Sequence, residues 1–306
     1  MKLKTILSVC LLLLFTASIA YAGGLADGSR NNPLRVMLVP TDAGSSDITE
    51  DYKPVFDAIT KNYGIHFKVM AGSSYGAVVE GMCNDQAEIA WFGPVTFGEA
   101  HEMCGAELLA VDVKKGKSVY YSGIYTRKDS GLSDIKDLKG HSMALGSTHS
   151  TSSFNFPVAM MIAAGLDPAR DLSKIVIAGS HSNSIASMKE GRVDACAASF
   201  NSYEKAVKNN ILDPKDFRVL AKSEPIPNPP MAMNTKLTPE LKAKLKEAFN
   251  TIHTMVEPGK IRGYGGKKVD RYDADYPTEK MLSALKKLAA VTPKVKEAMV
   301  EKSGQQ

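Results

Sequence analysis

Six hydroxyl side chains lie close together in the stretch GSTHSTSSFNFP: Ser147, Thr148, Ser150, Thr151, Ser152 and Ser153, with no Asp, Glu, Lys or Arg among them. Serine and threonine draw backbone hydrogen bonds away from helix and sheet ladders, so such a cluster marks a loop or a helix start. One hydroxyl is enough to cap a helix. The surplus points to a second use, because neutral donors beside the free N–H groups of a helix N-terminus form a socket for an oxyanion. Ser150, Thr151 and Ser152 are the candidates, joined by the backbone N–H groups of Ser152 and Ser153. Ser147 and Thr148 are read as loop.

A second group of residues falls at matching places. His181 follows the apolar run KIVIAGS and opens a helix, where an imidazole N–H can donate to an oxyanion. Tyr75 holds the corresponding helix start earlier in the chain, with a phenol able to donate across a cleft. Trp91, Pro94 and Phe97 supply an apolar rim after a third strand. His149 has no such placement and is read as loop. Ser150, His181 and Asp194 include the residue types of a hydrolase triad, which keeps hydrolysis as an alternative. The sequence lacks a G-x-S-x-G elbow, and the serine cluster has no assigned base, so binding is the preferred reading. No spacing resembles a zinc site, and no cofactor is implied.

These residues need strand ends and helix starts to hold them, and the pattern provides both. Apolar strands alternate with amphipathic helices, which predicts an α/β fold with mainly parallel sheets. Strands are expected at 34–40, 66–71, 87–93, 142–146, 174–179 and 193–199. Helices are expected at 52–63, 75–83, 153–164, 182–189, from Thr238 onward and at 278–288. The stretch starting at Ala71 aligns, with one gap, to that starting at Ala178, so the pattern occurs twice. Two similar units imply two lobes with a cleft between them. The segment 118–131 reads as a long strand leaving the first lobe, and the proline-rich 222–234 as a connector returning to it rather than a central strand. The partition is residues 23–120 and 226–306 for lobe 1 and 121–225 for lobe 2.

Residues 1–22 read as an export leader: Lys2 and Lys4, an apolar run too short to span a bilayer, then a small-residue cleavage site at Ala20-Tyr21-Ala22. The expected location is the periplasm. The 38 basic residues exceed the 33 acidic ones only slightly, and without the two leader lysines the excess is +3. That balance excludes the basic stripe of a nucleic-acid binder. Of the cysteines beyond the leader, Cys83 and Cys104 flank one strand–helix unit and Cys196 sits in an apolar strand. Their spacing leaves a Cys83–Cys104 bridge open.

Several stretches resemble, in chain order, the substrate-binding proteins of phosphonate and phosphite ABC transporters: AWFGP followed by Phe97, YSGIYTRKDSGLSDIKDLKG, STHSTSSFNFP, GSHSNSIASMKEGRVDACA and IPNPPMAM. The resemblance implies a two-lobed, type II periplasmic binding protein fold. It further implies phosphonate-oxygen contacts from Ser150, Thr151, Ser152, His181 and Tyr75. Phe97 stands where that family often has a tyrosine, and Ser153 where it often has a glycine. Relatives that hold an ammonium group place acidic residues in the cleft. The matching places here are Asn201 and the pair Asn228-Pro229, so no carboxylate is left for an amine. The expected ligand is therefore phosphite or methylphosphonate. The expected partners are a membrane permease and its ATPase, with the protein itself a monomer; a sensing partnership with a membrane receptor is a further alternative.

Overall fold

The computed structural model describes residues 24–41, 45–257 and 259–304; the expected leader lies outside them. In chain order the first unit is β1 (Leu34–Leu38), α1 (Ser45–Tyr63), β2 (Phe67–Ala71), α2 (Tyr75–Cys83), β3 (Ile89–Trp91), α3 (Pro94–Cys104) and β4 (Glu107–Val113). The chain then crosses through β5 (Val119–Tyr120) into β6 (Ser122–Arg127) and β7 (Ser142–Leu145). A π-turn (Thr151–Asn155) leads to α4 (Phe156–Ala163), α5 (Pro168–Asp171), β8 (Lys174–Ile177), α6 (His181–Lys189), β9 (Ala195–Ser199), α7 (Phe200–Lys208) and β10 (Phe217–Lys222). It returns through β11 (Ile226–Pro227) to β12 (Pro230–Met233) and α8 (Pro239–Thr251). It ends with β13 (Arg271–Asp273), α9 (Thr278–Leu285) and α10 (Pro293–Gly304).

Two sheets repeat one plan. The first has the order β13-β4-β12-β3-β1-β2 and the second β10-β6-β9-β7-β8. In each, one strand (β1 or β7) pairs in parallel with both neighbours, and the third strand (β3 or β9) pairs antiparallel with a strand delivered by a crossover. The inner strands are covered on both faces, so β9 reads as an unbroken buried run, Ala-Cys-Ala-Ala-Ser, rather than an alternation. The first core gathers Trp91, Phe92, Phe249 and Tyr272, and the second gathers Leu145, Phe154, Met161 and Ile175.

Two sequence-based expectations need correction. The 222–234 segment is not only a connector: its second half is β12, a central strand bonded to both β3 and β4. Pro230 is tolerated because it is the first residue of the strand, where a missing N–H interrupts least, and its carbonyl still accepts from Phe92 N–H at 3.0 Å. Likewise 118–131 is not one strand. It breaks at Tyr121, so that β5 pairs with β11 in a two-stranded ribbon between the sheets while β6 joins the second sheet.

A third correction concerns the C-terminus, which the sequence pattern assigns as a whole to lobe 1. Helices α8 and α9 pack on the first core through Leu245, Phe249 and Met281, but Val291 and Met299 belong to the second core. Val295 and Met299 of α10, with Val291 just before the helix, recur at four-residue spacing and lay one apolar face over β8, the edge strand of the second sheet. Lys302 secures the helix by donating to the carbonyls of Ala169 and Leu172.

Cys83 and Cys104 are bridged, with Cα atoms 5.3 Å apart, which resolves the open pairing; Cys196 is free and buried. The bridge ties the C-terminal ends of α2 and α3. It closes a 21-residue span, a length for which cross-linking the unfolded chain contributes about 3 kcal/mol. Replacing both Cys83 and Cys104 by Ala is expected to lower the urea midpoint of the protein. Adding reductant to the wild type should reproduce the shift, and a midpoint indifferent to both would show that the bridge does not constrain the unfolded chain.

Candidate functional site

The carboxyl ends of the central strands in both sheets point at one another, and helices start there. Ser74 caps α2, Ser150 the π-turn, Ser180 α6 and Ser199 α7, each by accepting a backbone N–H through its hydroxyl. Gly93 precedes α3 with no side-chain cap. The chamber between them is lined by Val39, Thr41, Tyr75, Trp91, Gly93, Tyr120, Ser150, Thr151, Ser152, His181, Pro229 and Tyr264. It is small. Within about 220 Å³ of atom-free space there is room for little more than one water-sized sphere. None of these lining residues is an Asp, Glu, Lys or Arg.

The π-turn has a local cause. Pro157 has no N–H to give to the carbonyl of Ser153, which accepts instead from Gly146 N–H at 2.9 Å. Asn155 N–H reaches back five residues to Ser150 O at 3.0 Å. Gly146 is required here because a Cβ would lie 2.0 Å from Ser153 Oγ. The wide turn buries Ser150, Thr151, Ser152 and Ser153 together.

Direction matters more than number in this cluster. Ser150 Oγ accepts from Ser153 N–H at 3.2 Å and from Ser153 Oγ at 2.7 Å. Thr151 Oγ1 accepts the N–H of Val95, at the start of α3 in the other lobe, at 2.9 Å. With both lone pairs taken by protein donors, Ser150 has its proton left to offer, which is what an anion needs, while the hydroxyls of Thr151 and Ser152 meet that of Tyr120. Ser152 is held through its carbonyl, which accepts from Ser122 Oγ at 2.7 Å.

His181 is set in the same way. Ser199 N–H donates to Nδ1 at 3.0 Å, so the neutral ring carries its proton on Nε2. That nitrogen faces Ser150 Oγ at 3.5 Å and Tyr264 Oη at 3.4 Å. Burial pushes the imidazole pKa from 6.5 down to about 3. The backbone N–H of His181 donates to Thr41 O in the first lobe at 3.0 Å.

The triad alternative fails on this geometry. Asp194 precedes β9 and accepts from Ser142 N–H at 2.8 Å and Ser142 Oγ at 2.6 Å, whereas His181 meets the far end of that strand, at Ser199. The imidazole nitrogen that a triad carboxylate would hold is occupied by a backbone donor instead. Among the described residues no group of His, Cys, Asp and Glu could hold a metal ion.

The structure therefore brings together Ser150, Thr151, Ser152, His181, Tyr75 and Trp91, and leaves out three expected residues, Pro94, Phe97 and Asn201. Phe97 is buried in the first core, stacked on His101, and does not line the chamber. Asn201 also lies outside it: its Nδ2 donates to Tyr264 O at 3.3 Å and its Oδ1 accepts from Lys267 Nζ at 2.9 Å. The apolar wall expected from Phe97 is built by two tyrosines that sequence reasoning missed. Tyr264 packs on Trp91 and Tyr120 with ring centroids 5.3 and 5.5 Å apart, and its hydroxyl meets Ser199 Oγ at 2.7 Å. Tyr120 ends the crossover strand β5. The signals were there, a tyrosine framed by glycines in RGYGGKK and a Tyr-Tyr pair at the crossover, but neither lies at a strand-to-helix junction.

Asp112 stands behind this wall. Its Oδ2 accepts from Tyr264 N–H at 3.3 Å, and burial raises its carboxyl pKa to about 6. Gly263 makes the approach possible, since a Cβ there would lie 2.0 Å from the carboxylate.

A family model described as the phosphonate ABC transporter periplasmic substrate-binding protein matches residues 37–271. The chain belongs to that family. Members are substrate-binding proteins of importers and not enzymes, and their partners are a membrane permease and its ATPase. A phosphate-import protein of Mycolicibacterium smegmatis is 28% identical over 217 residues, covering 67% of each chain. A phosphonates-binding periplasmic protein of Escherichia coli is 24% identical over 254 residues, covering 81% of this chain and 74% of that one. In structure, a Prochlorococcus marinus protein in complex with methylphosphonate superposes with a TM-score of 0.71 at 18% identity, over 84% of this chain and 98% of that one. A Pseudomonas aeruginosa phosphonate-transporter component gives 0.68 at 20% identity, over 90% and 99%. The family fold is thus the two-lobed type II periplasmic binding protein. The family is periplasmic, and no helix among the described residues is long and apolar enough to cross a membrane.

The His181 assignment has a measurable sign. The unfolded chain takes up a proton as pH falls through 6.5, while the folded chain resists until about 3, so the fold loses stability between those values as pH falls. Nitrogen-15 NMR of the ligand-free protein is expected to show His181 neutral, protonated on Nε2, down to about pH 5. An imidazolium signal at neutral pH would remove the neutral-donor assignment.

Proposed function

We propose that this protein captures a small phosphorus oxyanion, phosphite or methylphosphonate, in the interlobe chamber and delivers it to an ABC importer. One observation carries the reading: the chamber converges neutral donors from both lobes on one point and walls the remainder with aromatic rings. Ser150, Thr151 and Ser152 with the π-turn N–H groups, and the Nε2–H of His181, are assigned to the oxygens, and Tyr75 donates from lobe 1. Trp91, Tyr120 and Tyr264 take the fourth substituent, which is small and apolar.

Magnitudes support this choice. A hydrogen bond to a charged group contributes about 1.5 to 3 kcal/mol, so four or five suffice for micromolar or tighter binding after the costs of closure. Phosphate would turn a hydroxyl toward the aromatic wall, and leaving it unpaired costs about 1 to 3 kcal/mol. An aminoalkylphosphonate would find no carboxylate among the lining residues. Closure of two lobes on the anion is a hinge motion about the ribbon of β5 and β11, and it presents the permease with a loaded shape.

Isothermal titration of the mature protein against phosphite, methylphosphonate, phosphate, sulfate and 2-aminoethylphosphonate tests the assignment. The first two should bind at micromolar or better and exceed phosphate by about 5- to 100-fold. Tightest binding of the amine-bearing ligand would refute the proposed selectivity. Thr151→Ala combined with His181→Ala should weaken the preferred anion at least about 100-fold. Unchanged affinity in that variant would remove the socket from these residues.

A further inference from the structure

His149 and Thr151 flank Ser150, and both reach across the cleft to the same helix of lobe 1. Thr151 Oγ1 accepts from Val95 N–H at 2.9 Å, at the first turn of α3. His149 Nδ1 meets Glu99 Oε2 at 2.9 Å, one turn further along α3. His149 lies in the loop before the π-turn and does not line the chamber. Its ring lies against α2, where Gly76 leaves room: a Cβ there would sit 3.6 Å from Nε2.

We propose that the His149–Glu99 pair is a proton-strengthened latch on lobe closure, fastening the anion socket to lobe 1 more tightly when His149 carries a charge. The pair joins a lobe 2 loop to a lobe 1 helix, so it forms when the cleft shuts and is lost when it opens. The charged groups facing His149 come from three elements. Glu99 on α3 is the partner, Glu80 on α2 adds a weaker attraction, and Lys296 on α10 opposes them. Lys296 is held back by donating to Thr148 O at 3.4 Å, and burial lowers its pKa.

The sign follows from the partner. The hydrogen bond that His149 donates to Glu99 raises the His149 pKa above 6.5 in the closed form, against the opposing effect of burial. An open form, with the ring away from Glu99, keeps a more ordinary value. Closure is therefore favoured fully below about 6.5 and loses the contribution as pH rises through the closed-form value. Both side chains retain some exposure, 45% and 33%, so the effect is that of a partly screened pair, about two- to fivefold in affinity.

The test compares wild type with His149→Gln, which keeps a donor without the charge, and with Glu99→Gln. Methylphosphonate affinity is measured from about pH 6 to about pH 8. The ligand's own ionisation is common to all three proteins and cancels in the ratio of wild type to variant. That ratio should rise about two- to fivefold toward the acid end for either variant, and the double variant should add nothing further. A ratio flat with pH overturns the latch. The proposal rests on the two-lobed binding reading, and a second readout separates the two. Spin labels at the exposed Lys244 and Lys189, one on each lobe, report closure with and without the anion. If methylphosphonate does not bind, the ligand assignment fails, and the label distances still decide the latch. A shift toward the closed distance at low pH in wild type but not in His149→Gln supports it, and identical distances reject it.

Discussion

The N–H of Ser199 donating to His181 Nδ1 is the bond on which the chamber depends. A site with no charged side chain in its lining must attract an anion through direction alone, so each donor has to be aimed and each competing acceptor occupied. That one bond fixes the tautomer, turns Nε2–H toward the chamber and binds the start of α6 to the end of β9. Ser150 and Thr151 follow the same rule, with their oxygens filled from Ser153 and Val95. Neutral donors cost less to desolvate than a lysine or arginine would, and they impose shape more strictly.

Much of the fold was legible from patterns of local origin. The parallel strand–helix units showed in the alternation of apolar runs with amphipathic stretches, and the matching loops after β2 and β8 put Tyr75 and His181 at equivalent helix starts. What escaped was non-local. A strand as short as β12, opened by a proline, cannot be told from a connector until its neighbours on both sides are known. The amphipathic face of α10 carries no address either, and only the uncovered edge of β8 decides which lobe it joins.

The chamber divided along the same line. Ser150, Thr151, Ser152 and His181 were visible because capping chemistry and strand ends predict where free N–H groups lie. Phe97 was misplaced because an aromatic residue one turn into a helix can face core or cleft, and α3 turns it onto His101. Tyr120 and Tyr264 come from a crossover and an irregular loop, so no periodicity aims them. Their positions depend on tertiary contacts such as that between Asp112 and Tyr264 N–H.

The place of β12 bears on how the chain comes to be folded. Residues of β6 through β10 are contiguous, so the second sheet has all five of its strands before the chain turns back. The first sheet has a gap between β3 and β4 that only residues synthesised about a hundred positions later can fill. Lobe 1 is thus left open along its middle until the second sheet has all of its strands. The half of the chamber carrying Trp91 and Gly93 is completed by strands made after those of the sheet that faces it, and α10 covers that second sheet later still.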